Sequence, residues 1–135
     1  MKKRVLFICT NNSCRSQMAE GIINYELGDK IEAYSAGTTP TAVNPHAVKS
    51  MAEIGIDIAD QRSKGVEEFA GQHFDYVITL CDSANEQCPM FFGGVKKMHL
   101  SFADPAAAVG SETEIQAAFR MVRDEIKDKL LDFFK

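Results

Sequence analysis

Apolar residues alternate along the chain between two patterns. Short runs that are apolar throughout, at residues 5–8 and 76–80, are typical of central strands in a parallel sheet, because both faces of such a sheet are covered. Longer stretches with an apolar residue every three or four positions predict helices at residues 16–27, 45–55 and from 111 onward. This alternation of strand and helix predicts an α/β fold in three layers, with helices on both faces of a parallel sheet.

Further signals mark the ends of these elements. Asn44 before Pro45 predicts a helix start, because asparagine caps the first turn and proline suits its first position. Ser111 and Glu114 have the spacing of a capping box for the last helix. We predict four strands at residues 3–8, 31–35, 76–80 and 97–100, and a short helical segment at 65–71. The last helix carries an apolar stripe that we expect in the core: Ile115, Phe119, Val122, Ile126, Leu130 and Phe133.

The composition is that of one globular domain, which we predict to span residues 1–135. The chain has 135 residues, of which 45% are hydrophobic. Its formal net charge of −4 argues against a nucleic-acid-binding protein. The basic amino terminus is followed by too few apolar residues for a signal peptide, and no stretch is long enough to span a membrane. We therefore expect a cytoplasmic protein, and nothing in the sequence demands more than a monomer.

The loop after the first strand has the chemistry of an oxyanion site. Between Cys9, which ends the strand, and Arg15, which starts the helix, it contains Thr10, Asn11, Asn12, Ser13 and Cys14. A short polar turn before a helix can point several backbone N–H groups at one anion, and the helix dipole assists. Arg15 adds a planar guanidinium group that can donate two parallel hydrogen bonds to an oxyanion. The same positive field favours the thiolate of Cys9, and Ser16 can donate a hydrogen bond to its sulfur. We therefore predict an oxyanion cradle with Cys9 as its nucleophile.

Cys81 and Cys88 follow the third predicted strand, and three interpretations are open. In a straight helix their Cα atoms would lie ~10 Å apart, too far for a disulfide. A redox pair, which we favour, therefore requires the segment to unwind, and Pro89 makes this feasible. Zinc binding with His99 as a further ligand is less favoured, because metal sites use more closely spaced cysteines. The third interpretation is a pair of inert core thiols.

Asp104 lies just past the fourth predicted strand. Ligands in parallel α/β sheets bind at the carboxyl ends of the strands, so Cys9, Cys81 and Asp104 should open onto one rim. An aspartate at this rim can protonate a leaving oxygen as a general acid. Asp104 before Pro105 is equally an ordinary turn signal, so both interpretations stay open at this point.

Several separated motifs resemble one enzyme family. They are Cys9-x5-Arg15-Ser16, the stretch 12–21, Cys81 and Cys88 followed by Pro89, and Asp104-Pro105. Together they resemble the thioredoxin-coupled arsenate reductases, which have the low-molecular-weight protein tyrosine phosphatase fold. The resemblance covers essentially the whole chain. It implies a four-stranded sheet with the flavodoxin-like strand order 2-1-3-4.

The resemblance also implies a thiol relay for arsenic detoxification. Cys9 would attack arsenate held by the loop and Arg15, while Asp104 assists the loss of water. Cys81 would attack Cys9 and release arsenite, and Cys88 would then attack Cys81. Thioredoxin, or alternatively glutaredoxin with glutathione, would reduce the Cys81–Cys88 disulfide. The resemblance implies no tightly bound cofactor, and phosphate and sulfate as competing oxyanions.

The sequence departs from this family at the loop and its surroundings. Some family members bind potassium at positions that match Asn12, Glu20 and Ser35, together with an aspartate. Lys64 stands at the position of that aspartate, so we expect its ammonium group in place of the cation. Asn11 stands where such loops often have glycine, and asparagine tolerates a left-handed backbone better than most residues.

Two alternative functions stay open on the sequence. In the first, the chain is a low-molecular-weight protein tyrosine phosphatase in which Cys81 and Cys88 protect Cys9. No aromatic residue follows Asp104-Pro105 to grip a phosphotyrosine ring, which weakens this alternative, although weak phosphatase activity is expected in either case. In the second, the chain is a metal-sensing or redox-sensing binding protein without turnover, which stoichiometric zinc would favour.

Overall fold

The computed structural model describes residues 2–81 and 94–134. Its strands are β1 (Lys3–Cys9), β2 (Ile31–Gly37), β3 (Phe74–Thr79) and β4 (Gly94–His99). Its α-helices are α1 (Arg15–Glu26), α2 (Pro45–Ala52) and α3 (Glu112–Phe133), and two 3₁₀ turns cover Val66–Phe69 and Pro105–Ala107. The strands, the α-helices and the first 3₁₀ turn agree with the predicted elements to within a few residues, whereas the turn at Pro105–Ala107 was not predicted. In the described ranges, no helix is both long and apolar enough to cross a membrane.

The strands form one parallel sheet in the order β2-β1-β3-β4, which confirms the predicted fold class and strand order. β1 is a central strand, and its alternate side chains face opposite layers. Val5 and Phe7 face a large core cluster to which α1, α2 and α3 all contribute. Leu6 and Ile8 face a smaller cluster that includes Phe69 from the first 3₁₀ turn. Burial on both faces explains why this strand is apolar throughout.

The helix ends form as their sequence signals predict. The Asn44 side chain accepts a hydrogen bond from the backbone N–H of His46 at 2.8 Å. Ser111 and Glu114 make both hydrogen bonds of the capping box at the start of α3. The predicted stripe of α3 faces the core, with these four residues buried: Phe119, Val122, Ile126 and Leu130.

The carboxyl ends of the strands bring distant segments to one edge of the sheet. Cys9 ends β1 and pairs in register with Gly37, which ends β2. The backbone N–H of Leu80, just past β3, donates to Ile8 at 2.8 Å, and the N–H of Phe102 donates to Leu80 at 3.3 Å. The loop after β1 and the segment leading to Asp104 therefore meet at this edge, as the parallel topology predicts.

Candidate active site

A cavity of about 220 Å³ lies at this edge of the sheet. Its described lining residues are Cys9, Asn11, Ser13, Cys14, Arg15, Thr41, Asp104 and Ala106. The structure thus brings together Cys9, Arg15 and Asp104, which the sequence analysis predicted to share a site. Thr41 and Ala106 were not predicted, because no local pattern marks them as cavity residues.

The Cys9 thiol lies at the end of a directed chain of hydrogen bonds. Its Sγ is 2.9 Å from Ser16 Oγ, and Asn12 Nδ2 donates to the same Ser16 oxygen at 2.7 Å. A hydroxyl has one hydrogen, and because Asn12 supplies a donor to the oxygen, that hydrogen is available for the sulfur. A hydroxyl at this distance can donate to the sulfur and hold it in place. The prediction that Ser16 donates to Cys9 requires this contact between the two side chains.

The turn of the loop depends on Asn12. Its φ of 49° is in the left-handed region, and in the described part of the chain no other residue except glycine has positive φ. A left-handed backbone was expected at Asn11, and the structure has it one position later, at Asn12. Asn12 suits the conformation because its side-chain amide is also held, with Oδ1 accepting from Lys64 N–H and from Gln17 Nε2, each at 2.8 Å.

Gly37 supports the loop from the end of β2. A Cβ atom on this residue would lie 2.5 Å from the Thr10 carbonyl oxygen and 2.8 Å from the Asn12 nitrogen. The backbone of the loop therefore rests directly on Gly37, and any side chain there would displace it. No sequence pattern marked Gly37 as a residue of the site. A glycine at the end of a strand that neighbours a functional loop is the signal that could have identified it.

Arg15 and Asp104 face the cavity from different segments. Arg15 is buried at the start of α1, and its Nη1 donates to the Phe102 carbonyl oxygen at 3.2 Å. Its Nη2 lies 3.9 Å from Asp104 Oδ2, and the Asp104 side chain is 34% exposed. The other Asp104 oxygen accepts from the Ala106 N–H at 3.0 Å. Asp104 is therefore both a turn residue and a cavity residue, so the two interpretations of its sequence context are compatible.

A comparison with known families matches residues 4–135 to the low molecular weight phosphotyrosine protein phosphatase family. The chain belongs to this family. It is 48% identical to the arsenate reductase of Bacillus subtilis (strain 168), in an alignment covering 97% of this chain and 94% of the relative.

Solved structures give the same assignment of fold. An arsenate reductase in its phosphate-binding state superposes with a TM-score of 0.82 at 34% identity, covering 97% of this chain and 95% of the other. The thioredoxin-dependent arsenate reductase of Corynebacterium glutamicum superposes with a TM-score of 0.66 at 28% identity, covering 97% of this chain and 61% of that one. The family and fold inferred from the sequence motifs are therefore confirmed.

Cys14 is the second free thiol of the loop. Burial raises the pKa of Cys14 from 9.0 to about 12, although the neighbouring Ser13 hydroxyl acts in the opposite direction. Cys14 therefore stays a neutral thiol at neutral pH. It lines the cavity of this family member without competing with Cys9 as a nucleophile.

Cys81 differs from the thiols of the loop. It is buried and disulfide-bonded, whereas Cys9 and Cys14 are free. Cys88 and Pro89 lie outside the described residues. In the part of the chain that the structure describes, no group of three or more His, Cys, Asp or Glu side chains could hold a metal ion. His99 Nδ1 lies 2.8 Å from Thr79 Oγ1.

The residues at the positions of the potassium site do not fit a metal ion in this protein. Ser35 Oγ donates to Glu20 Oε1 at 2.7 Å, and the Lys64 ammonium lies 3.6 Å from the same oxygen. Asn12 Oδ1 accepts hydrogen bonds from the Lys64 N–H and from Gln17. An amide oxygen has two lone pairs, so Asn12 has no free lone pair for a metal ion.

Proposed function

We propose that this protein is an arsenate reductase that serves arsenic detoxification through a relay of three cysteines. The observation that carries the proposal is the cavity in which Cys9, Arg15 and Asp104 meet, because these groups are a nucleophile, an anion-binding donor and a proton donor. The relatives named above, which are arsenate reductases at up to 48% identity, support the same substrate. We further propose a cytoplasmic monomer without a tightly bound cofactor, in which the reducing surroundings keep Cys9 as a thiol.

The first step forms a bond between sulfur and arsenic. The backbone N–H groups of residues 10–15 and the Arg15 guanidinium hold the arsenate oxygens. The Cys9 thiolate attacks arsenic, one arsenic–oxygen bond breaks, and Asp104 supplies the proton with which that oxygen leaves as water. Arsenic stays pentavalent in this step.

The next steps transfer two electrons. The Cys81 thiolate attacks Cys9 sulfur, a disulfide forms, and the electron pair of the sulfur–arsenic bond stays on arsenic, which leaves as arsenite. Cys88 then attacks Cys81 and releases the Cys9 thiolate. The dithiol of thioredoxin reduces the Cys81–Cys88 disulfide, with glutaredoxin and glutathione as the alternative reductant. A disulfide-bonded Cys81 together with a free Cys9 supports the proposed relay.

The lining of the cavity supports a small inorganic oxyanion as the substrate. Ala106 lies two positions past Asp104, and no aromatic side chain occurs among the described lining residues. An aryl phosphate would therefore find little stacking surface. Phosphate and sulfate would compete with arsenate, and weak phosphatase activity would accompany the reductase activity.

The test is arsenate-dependent NADPH oxidation in the presence of thioredoxin and thioredoxin reductase. We expect steady turnover in the wild type, and at most a single-turnover burst in Cys88→Ser and Cys81→Ser. Asp57→Asn is the control, because Asp57 makes a turn contact with the Ala59 N–H away from the cavity, and it should keep steady turnover. Replacement of thioredoxin by glutaredoxin and glutathione identifies the reductant.

The opposite pattern would refute the proposal. If the wild type shows no arsenate turnover with either reductant, while it and Cys88→Ser hydrolyse p-nitrophenyl phosphate equally well, the protein is a phosphatase.

A further inference from the structure

Lys64 places a positive charge close to the loop that carries Cys9. It lies in the segment between α2 and the first 3₁₀ turn, and its Nζ is 3.6 Å from Glu20 Oε1. The side chains of Lys64 and Glu20 are only 11% and 14% exposed. A carboxylate so poorly hydrated requires a cationic partner, and Lys64 supplies it.

Hydrogen bonds connect this ion pair to the loop. Lys64 Nζ donates to the Arg62 carbonyl oxygen at 2.9 Å, and Gln17 Nε2 donates to the same oxygen at 2.9 Å. The Gln17 amide also donates to Asn12 Oδ1. The Lys64 backbone N–H donates directly to that oxygen at 2.8 Å, so Lys64 holds Asn12 along two routes.

The network ends at the nucleophile. Asn12 donates to Ser16 Oγ, and the same oxygen lies 2.9 Å from Cys9 Sγ, within hydrogen-bond distance. Asn12 is also the left-handed residue on which the shape of the loop depends. The position of Asn12 therefore affects both the N–H groups of the cradle and the hydrogen bond to the thiolate.

We propose that Lys64 is a positioning residue that acts as a built-in cation, replacing a dissociable monovalent metal ion beside Glu20. The reactivity of Cys9 in this protein is then independent of potassium. The stabilisation that a dissociable ion gives to a site depends on how much of the site is occupied. This occupancy depends on the concentration of the free ion. A covalently attached ammonium group is always present. The inference rests on Cys9 as the nucleophile of the proposed function, but not on the identity of its substrate.

The first test exchanges the salt and needs no variant. The rate of Cys9 alkylation by iodoacetamide, located by peptide mass spectrometry, is compared in potassium chloride and in tetramethylammonium chloride at equal ionic strength. We expect equal rates in the two salts. A rate that rises with potassium would overturn the proposal, because it would show that a dissociable ion still completes the site.

The second test removes the ammonium group. Lys64→Met should slow Cys9 alkylation about 10-fold, because a small displacement of Asn12 and Ser16 misdirects the hydrogen bond to the sulfur. Lys64→Arg, which keeps the charge, should restore most of the rate. A folded Lys64→Met protein that reacts at the wild-type rate would overturn the proposal. If Lys64→Met does not fold, Lys64→Arg and the salt exchange decide.

A matched control separates positioning from general stability. Arg120→Met also removes a cation from a glutamate, because Arg120 Nη2 lies 2.8 Å from Glu53 Oε2 between α3 and α2. This variant should lower the melting temperature without slowing Cys9 alkylation. Equal slowing in both variants would mean that Lys64 acts only on stability. Alkylation needs neither arsenate nor thioredoxin, so a failure of the proposed function would appear separately, in the NADPH assay.

Discussion

Two segments line the cavity, and they are held very differently. In the loop after β1, Asn12, Arg15 and Ser16 are buried, and their side chains are hydrogen-bonded. Asn12 and Ser16 bond to each other, Arg15 bonds to Phe102, and Asn12 accepts from the Lys64 N–H. In the segment after β4, the Asp104 side chain is one-third exposed, and it makes a turn hydrogen bond to Ala106 and a long contact to Arg15. Both segments face the same bound oxyanion in the proposed reaction.

The difference corresponds to two chemical tasks. Groups that stabilise developing charge act best when they are fixed before the reaction, because they then require no reorganisation. A proton donor has to follow the leaving oxygen, and partial exposure leaves it room to do so. Substitutions in the first segment should therefore change binding and rate together, whereas substitution of Asp104 should change the rate alone.

The largest effect that we expect in this comparison comes from Asp104→Asn. Asparagine keeps the oxygen that accepts from Ala106 but supplies no acidic proton, so kcat for arsenate reduction should fall on the order of 10²-fold. Phosphate affinity, measured by calorimetry, should stay unchanged. Asp57→Asn is the matched control, because Asp57 makes the same turn contact, with the Ala59 N–H at 2.9 Å, away from the cavity. A parallel loss of phosphate affinity in Asp104→Asn would contradict the division of tasks.

Gly37→Ala should have a smaller effect than Asp104→Asn, and it should weaken substrate binding as well as slow the reaction. The added Cβ would meet the loop backbone at 2.5 Å, so the loop must shift, and kcat/KM should fall about 10-fold together with phosphate affinity. Gly71→Ala is the matched control. Gly71 has a positive φ of 80°, and a Cβ atom added there would have no atom within 4 Å. This control should lose about 1 kcal/mol of stability to backbone strain without losing activity. Unchanged phosphate affinity in Gly37→Ala would show that the loop does not depend on this glycine.

The substitution Cys14→Ala should have the smallest effect at neutral pH, and its effect on the pH dependence of stability should appear only at alkaline pH. Its folded-state pKa of about 12 lies above the ordinary value of 9.0, so the unfolded chain ionises first as the pH rises. The stability that this neutral thiol contributes is present below the ordinary value and is lost between the two pKa values. The melting temperature of Cys14→Ala should therefore decline less above pH ~9 than that of the wild type. Identical alkaline profiles would mean that Cys14 ionises as easily in the folded protein as in the unfolded chain.

The parts of the fold that were predicted correctly depend on local signals. The Ser111 capping box, the Asn44 cap and the apolar run of β1 each act through neighbours in the sequence, so they can be read from it. The cradle motif was also predictable, because Cys9 and Arg15 flank a single loop between a strand and a helix.

The missed features depend on contacts between distant segments. Gly37 matters because the backbone of another loop rests on it, and no pattern near residue 37 records that contact. The left-handed position was assigned to Asn11 instead of Asn12, because the partners that hold Asn12 include Lys64, far along the chain. The resemblance to a family drew attention to Lys64, but only the structure gave its connection to the loop.

The hydrogen bond from Arg15 to the Phe102 carbonyl joins residues 87 positions apart. β1 also pairs with β3, which follows only after β2 and α2 have been made. Non-local pairings of this kind form slowly, because a long loop must close before they can form. An unfinished or partly unfolded chain therefore lacks the assembled cradle around Cys9. Selective reactivity at Cys9 is acquired only when the whole sheet has assembled, so it can serve as a kinetic probe for the last stage of folding.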